Sequence, residues 1–110
     1  MTGVGVDIED ISRFKSITNL DRFLTFVFSA SEIDEAHRAP DMVRHIASRF
    51  SLKEAVIKAV PEALTYHDIE IVKVNDKPTV KWRHPELNKF NIHVSLSHSP
   101  TTVIGFAVIE

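Results

Sequence analysis

Three carboxylates and one lysine have the types and spacing that metal-assisted phosphate chemistry requires. Asp7 and Glu9 are two residues apart, so on a β-strand their side chains point to the same side. Glu54 lies in a run with helical periodicity, and Lys58 follows one helical turn later. Carboxylate oxygens are the ligands that Mg²⁺ prefers, with water and substrate phosphate completing its octahedron. The pattern therefore predicts Asp7, Glu9 and Glu54 as metal ligands, with Lys58 meeting an anionic ligand.

Each of these residues also has an ordinary structural explanation. Asp7 could cap the turn after its strand and Glu9 could be solvated, since acidic residues are mostly exposed. Glu54 and Lys58 have the i,i+4 order of a surface ion pair. The residues by themselves leave both interpretations open.

Two further polar groups offer weaker signals. Arg49 and Lys53 widen the positive strip of the same helix, which suits phosphate groups and equally suits a solvated face. Ser97 and His98 end a predicted strand, but adjacent residues rarely supply nucleophile–base geometry and no glycine-rich elbow surrounds them. We therefore interpret His98 as a donor to a phosphate or a base rather than as part of a hydrolase.

A basic and apolar segment near the N-terminus could form a docking surface. Arg13 and Arg22 are interleaved with Phe14 and Phe23, which suits an acidic helical partner. A solvated amphipathic segment is the alternative explanation.

Composition restricts the class of protein. The chain of 110 residues has a net charge of −2 and no cysteine, so it fits one domain spanning residues 1–110 without disulfides or thiolate chemistry. The charge argues against nucleic acid as a partner. The sequence has no signal-peptide pattern and no membrane-length apolar run, so we expect a cytoplasmic protein that does not contact the membrane.

The hydrophobic pattern predicts an α+β domain with a mainly antiparallel sheet. Val4, Val6 and Ile8 alternate with two glycines and Asp7, as in a strand with one buried face, and the glycines on the opposite face leave room for a backbone or a ligand. The predicted elements in chain order are a strand at 3–8, helices at 21–28, 29–38 and 41–60, strands at 67–74 and 78–83 joined by a turn at 75–77, a helical turn at 85–90, and strands at 92–97 and 103–109.

Several segments together resemble the 4′-phosphopantetheinyl transferases of the short holo-acyl-carrier-protein synthase type. The resemblance covers nearly the whole chain in order, and its strongest stretch lies in the long predicted helix. The segments that carry it are Gly3–Ile8, Arg13, Phe28–Glu32, Ser48–Phe50, Lys53–Ala55, Lys58–Ala59, Asp68–Ile71 and Ser95–His98.

The resemblance implies a fold, an activity and a set of site residues. Members of this family transfer the phosphopantetheine arm of coenzyme A to a serine of an acyl or peptidyl carrier protein and release 3′,5′-ADP. By matching motif, Asp7 and Glu54 would bind Mg²⁺, and Glu54 would help to deprotonate the carrier serine. Lys58 would neutralise the diphosphate and assist the leaving group. The remaining roles implied are coenzyme A contacts by Arg49, Lys53, Ser97 and His98, and carrier docking by Arg13 and Arg22.

The chain departs from the family pattern at two places. The Asp7-Ile8-Glu9 motif resembles that of the larger two-lobed transferases, which implies Glu9 as a third metal ligand. A glycine-free turn, Val60–Thr65, stands where the short synthases have a glycine-rich turn near the coenzyme. The alternative function is therefore a catalytically weakened, family-like carrier-binding module or a structural subunit of a synthase.

The resemblance also implies an assembly. Short members form homotrimers with sites between subunits, the acids coming from one chain and the Ser-His segment from its neighbour. We therefore expect a homotrimer.

Overall fold

The computed structural model describes residues 2–110 and contains four α-helices and five β-strands in that part of the chain. They follow the order β1 (Gly3–Asp10), α1 (Ile11–Lys15), α2 (Leu20–Val27), α3 (Ala30–Arg38), α4 (Met42–Ala59), β2 (Ile69–Val74), β3 (Lys77–Trp82), β4 (Ile92–His98) and β5 (Thr102–Ile109). Two 3₁₀ turns, Tyr66–Asp68 and Pro85–Lys89, precede β2 and β4. The predicted α+β class is confirmed.

The strands form two antiparallel sheets. One has three strands in the order β1-β5-β4, and the other is the β2–β3 hairpin. The hairpin turn is at Asn75 and Asp76, whose φ angles of 52° and 63° lie in the left-handed region. Asn and Asp tolerate this region better than other side chains, and two such residues make the turn that matches the twist of paired strands.

The alternation along β1 suggests that its valine and isoleucine face is buried, but the structure exposes this face and buries the opposite one. Val4, Val6 and Ile8 are exposed by 62%, 54% and 65%, whereas Gly5 and Asp7 on the other face are buried. The glycine face is buried because α4 packs directly on it. A β-carbon on Gly5 would lie 1.9 Å from the carbonyl oxygen of Ala55, so only glycine permits this approach. The expectation that the glycines admit another backbone is confirmed.

Helix α4 is the centre of the fold. Asp41 caps its first turn by accepting a hydrogen bond from the Arg44 backbone N–H at 3.1 Å. The helix ends at Ala59, and Pro61 follows the C-cap residue Val60. The helix face that carries Ile46 and Phe50 is buried, and the opposite side is buried too, because α4 lies between the three-stranded sheet and the other helices.

Two of the short helices, α1 and α3, pack against α4. Helix α3 starts with a capping box, in which the Ser29 hydroxyl and the Glu32 carboxylate each accept a backbone N–H of the other residue. Helix α1 was not predicted; it has only five residues, and Asp10 at its N-cap forms no side-chain cap. Within residues 2–110 no helix has the length and apolar character needed to cross a membrane.

Candidate active site

The close contact of β1 with α4 brings Asp7 beside Lys58. The Ser51 hydroxyl donates to the backbone carbonyl of Asp7 at 3.0 Å and fixes the strand on the helix. The Lys58 ammonium donates to the Val6 carbonyl at 2.9 Å and lies 3.4 Å from Asp7 Oδ1. The lysine is half exposed and the aspartate is buried. A cation and a carboxylate therefore meet beside the contact between β1 and α4.

Glu9 lies beside Asp7 but has its own partner. Its Oε1 accepts from the Arg13 guanidinium at 2.5 Å, across the turn from β1 into α1. Burial first, and then the neighbouring Asp7 carboxylate, raise the pKa of Glu9 to about 7, against the lowering effect of Arg13. The structure thus places two buried carboxylates next to each other, and a bound cation would relieve their repulsion.

Glu54 lies one helical turn before Lys58 and faces an open cleft. The Tyr66 hydroxyl donates to Glu54 Oε1 at 2.5 Å. Burial, followed by the hydrogen bond to Glu54, raises the pKa of Tyr66 above its ordinary value, so the phenol stays protonated as the donor. The cleft measures about 1180 Å³ and runs between α2 and the segment after α4. Its lining also includes Arg22, Phe26 and Leu64. It is large enough for a flexible organic chain to reach Glu54.

Lys53 does not occupy the position expected from the sequence. Its side chain is fully buried, and its ammonium donates to Glu32 at 2.7 Å, to the Val27 carbonyl at 2.8 Å and to the Tyr66 carbonyl at 3.1 Å. All three ammonium hydrogens are therefore used inside the protein. The structure contradicts the expected contact of Lys53 with coenzyme A, because its amine cannot reach an outside ligand in this conformation.

Arg49 points away from Lys58, towards α3. Its guanidinium is buried and lies 3.5 Å from Glu35, while its Nε has no hydrogen-bond partner among residues 2–110. His45 shares the same glutamate at 3.3 Å, and burial lowers its pKa. The structure separates Arg49 from the carboxylates of β1, and its coenzyme contact stays a prediction.

Ser97 and His98 lie at the far edge of the three-stranded sheet. Strand β5 separates β4 from β1, and the row Glu9, Val103 and His98 runs across the three strands. Two strand spacings amount to about 10 Å. Both residues are exposed. This chain does not bring its own Ser-His segment into contact with its own carboxylates.

The two arginines predicted to dock a carrier flank the cleft region. Arg13 is exposed and its guanidinium lies 5.5 Å from the ring centroids of both Phe14 and Phe50. Arg22 is exposed on α2 and lines the cleft. Their positions are compatible with an acidic partner approaching beside Glu54.

The predicted set of three metal ligands is not assembled as one cluster. Across residues 2–110 the structure contains no group of three His, Cys, Asp or Glu side chains arranged to hold a metal ion. Glu9 is drawn to Arg13 instead. Asp7 fits a cation better, because its Oδ2 is buried and forms no hydrogen bond within the described chain. A buried carboxylate oxygen without a donor is costly unless a cation or water satisfies it.

Two functional candidates were not found from the sequence. Tyr66 and Glu32 were not singled out, although each contacts a residue that was. Tyr66 is the only tyrosine of the chain, and Glu32 was named only as the end of the Phe28–Glu32 segment. No local pattern links either residue to α4, since the contacts join positions 12 and 21 residues apart.

Comparisons with known proteins show the family to which the chain belongs. The family model described as the 4′-phosphopantetheinyl transferase superfamily matches residues 3–107. A holo-(acyl-carrier-protein) synthase of Thermodesulfovibrio yellowstonii is 39% identical over 112 residues, covering 97% of this chain and 96% of the relative. The synthase of Clostridium kluyveri is 33% identical over 119 residues, covering 98% of this chain and 89% of the relative.

Solved structures agree with the fold. A holo-(acyl-carrier-protein) synthase from Bacillus anthracis, in complex with CoA (3′,5′-ADP), matches with a TM-score of 0.84 and 27% identity over 98% of this chain and 95% of its own. The Helicobacter pylori synthase in complex with coenzyme A matches with a TM-score of 0.83 and 26% identity, over 97% and 99%.

The fold and the acidic site define a phosphopantetheinyl-transferase-like protein. The chain belongs to the 4′-phosphopantetheinyl transferase superfamily. The family expected from the sequence motifs is thereby confirmed.

Proposed function

We propose that this protein is a holo-acyl-carrier-protein synthase, which transfers the 4′-phosphopantetheine arm of coenzyme A to a serine of acyl carrier protein and releases 3′,5′-ADP. The observation that carries the proposal is the ion pair of Asp7 with Lys58, one helical turn after Glu54, which lines a cleft, in a chain that matches synthases along its length.

Asp7 and Glu54 are the residues that would hold Mg²⁺. Asp7 offers a buried carboxylate oxygen without a hydrogen bond within residues 2–110, and Glu54 offers a carboxylate at the cleft. When bound, Mg²⁺ would neutralise the diphosphate of coenzyme A and polarise the phosphoryl group that is attacked. Glu9 is the third carboxylate that the Asp-Ile-Glu motif would add, once Arg13 released it.

Lys58 would neutralise negative charge during the transfer, and Glu54 would accept a proton. The Lys58 ammonium is half exposed on a flexible stem, so it can leave Asp7 and place its charge against the diphosphate and the leaving group. Glu54 would take the proton of the carrier serine, directly or through water. The carrier serine then attacks phosphorus, and the bond to 3′,5′-ADP breaks.

Arg13 and Arg22 would bind the acidic recognition helix of the carrier beside the cleft. Both are exposed, and rim charges of this kind mainly steer association and set its orientation. Arg49, Ser97 and His98 stay as the proposed contacts to the nucleotide part of coenzyme A.

A homotrimer with shared sites would complete this machinery. The outward face of the three-stranded sheet exposes neighbouring apolar side chains on β1 and β5, and contiguous apolar patches of this kind mark protein–protein contacts. A neighbouring subunit could bring its own Ser97 and His98 to the carboxylates, which this chain's β4 does not reach. Mixing inactive Glu54→Gln and inactive His98→Ala subunits should restore part of the activity, whereas no restoration after verified exchange contradicts shared sites.

The cytoplasmic location stays a prediction, for fractionation to test.

Two measurements test the enzyme against the carrier-binding module. Calorimetry with coenzyme A and Mg²⁺ should show binding, because the glycine-free Val60–Thr65 turn contributes Leu64 and Thr65 to an open cleft rather than closing it. Chromatography should then detect 3′,5′-ADP only when apo carrier is added. Carrier binding without coenzyme binding would support the module instead.

A further inference from the structure

Tyr66 is held from both of its ends by neighbouring residues of α4. The Lys53 ammonium donates to its backbone carbonyl at 3.1 Å, and its phenol hydroxyl donates to Glu54 at 2.5 Å. Lys53 is fully buried and paired with Glu32. Two consecutive helical side chains thus fix one residue of the following 3₁₀ turn.

The ring and the turn of Tyr66 are fixed as well. The ring centroid lies 5.7 Å from that of Phe26 and 5.8 Å from that of Phe50. Within the same turn, the Thr65 backbone N–H donates to Asp68 at 2.8 Å. A hydroxyl on a ring held in this way is a donor of fixed position, unlike a serine or a lysine on a mobile stem.

The fixed Tyr66 hydroxyl restricts the orientation of the Glu54 carboxylate. A free glutamate at the edge of a cleft has three rotatable bonds, and its carboxylate samples many orientations. The Tyr66 hydroxyl removes this freedom by engaging Oε1, and within residues 2–110 no hydrogen bond engages Oε2. One oxygen is therefore anchored to the protein while the other stays available on the cleft side.

We propose that Tyr66 is a positioning residue for the transfer reaction, whose hydroxyl orients the Glu54 carboxylate for the cation and the carrier serine. This inference rests on the proposed function for its catalytic consequence, but the contact itself does not. Partners that orient a metal-binding carboxylate typically contribute 10–100-fold to metal affinity or activity.

The kinetic test is Tyr66→Phe, which removes the hydroxyl and keeps the ring. We expect kcat to fall about 10–100-fold, with the KM values for coenzyme A and carrier unchanged within about twofold because no binding group is lost. The melting temperature should stay near that of the wild type. Thr79→Val, which removes a hydroxyl from the distant hairpin, is the matched control and should leave kcat unchanged. A Tyr66→Phe protein with wild-type kcat overturns the inference.

Two readouts do not depend on turnover. Because the chain has one tyrosine, protein labelled with ¹³C at the tyrosine ring carbon bearing the hydroxyl gives one assignable resonance. We expect this resonance to move on Glu54→Gln, since the acceptor loses its charge, and to broaden when Mn²⁺ is added. Mn²⁺ affinity, measured by electron paramagnetic resonance without substrate, should weaken about 10-fold in Tyr66→Phe.

These outcomes separate the inference from the proposed function. A wild-type protein that transfers nothing, but shows the Glu54-dependent resonance and Tyr66-dependent Mn²⁺ affinity, contradicts the proposed function and leaves the positioning of Glu54 intact. A resonance that is identical in wild type and Glu54→Gln, or Mn²⁺ affinity that is unchanged in Tyr66→Phe, overturns the inference whether or not the protein is active.

Discussion

Gly5 of β1 lies against the backbone of Ala55 in α4, and a β-carbon at Gly5 would stand 1.9 Å from the Ala55 carbonyl oxygen. This contact sets the distance between the strand that carries Asp7 and the helix that carries Glu54 and Lys58. The atom that would be struck is backbone, so no side-chain rotation can relieve the clash. The proposed catalytic geometry therefore depends on glycine at position 5.

Gly5→Ala should destabilise the protein and disturb the site together. We expect the free energy of unfolding to fall by about 3 kcal/mol, because the strand and helix must separate. Urea denaturation measures this loss. Ser12→Ala, on the exposed side of α1, should change it by less than about 0.5 kcal/mol. A Gly5→Ala protein with wild-type stability would show that the contact is not close in solution.

The buried Lys53–Glu32 pair should be costly to break. Lys53→Met leaves Glu32 without its cation, so we expect a loss of about 3 kcal/mol or more in the free energy of unfolding. The double variant Lys53→Met/Glu32→Leu should not recover fully, because Ser29 and Ile71 lose the acceptor of their backbone N–H groups. Lys89→Met, whose ion pair with Glu62 is exposed on both sides, is the control and should cost less than about 1 kcal/mol. Equal effects of the two lysine variants would contradict the account.

The outward apolar face of β1 and β5 should mediate self-association. Val6→Glu places a charge in the middle of this face, next to Phe106 on β5, so we expect the assembly to dissociate. Light scattering at micromolar concentration should report a trimer for the wild type and a monomer for the variant. Val74→Glu changes an exposed valine of the hairpin and should leave the trimer intact. A wild-type monomer would contradict the proposed assembly.

Asp68 should stabilise the turn that carries Tyr66 in a pH-dependent way. The backbone N–H of Thr65 holds the pKa of this carboxyl below its ordinary 3.8. A depressed folded pKa means that the stabilisation is present above about pH 4 and is lost as the pH falls through the folded value. Asp68→Ala should therefore cost about 1 kcal/mol at pH 7 and progressively less in acid.

Denaturation of wild type and Asp68→Ala at several pH values measures this difference. Glu86→Ala, which removes an exposed carboxylate from the other 3₁₀ turn, is the control and should change stability by less than about 0.5 kcal/mol at pH 7. A stability difference that stays constant from pH 7 to pH 2 would contradict the assigned role of Asp68.

Local signals in the sequence predicted most of the elements. Caps at Ser29 and Asp41, and the Asn75-Asp76 turn, act within four residues of chain and are visible without the fold. The buried side of β1 could not be inferred in the same way. Alternation shows that a strand has two faces, but only the packing of α4 determines that the glycine face is buried and the valine face is exposed.

The relative positions of the candidate site residues could be predicted within a single helix or strand. They could not be predicted where a residue's partner lies on another element. The sequence suggests that Lys53 belongs to the positive strip of its helix. In the structure its ammonium binds Glu32, 21 residues earlier, and the side chain is buried. Tyr66 gives no sequence signal because its partner Glu54 lies across a loop. Glu9 was counted with Asp7 by strand periodicity, and only the start of α1 shows that Arg13 competes for it.

The most direct test of the proposed function is the mass of an apo acyl carrier protein after incubation with this protein, coenzyme A and Mg²⁺. The account predicts a mass increase equal to the 4′-phosphopantetheine arm, located on a serine of the carrier. The rate should fall about 100-fold or more in Lys58→Ala, which loses the cation at the diphosphate. Unmodified mass across several carriers, with a folded wild-type protein, would contradict it.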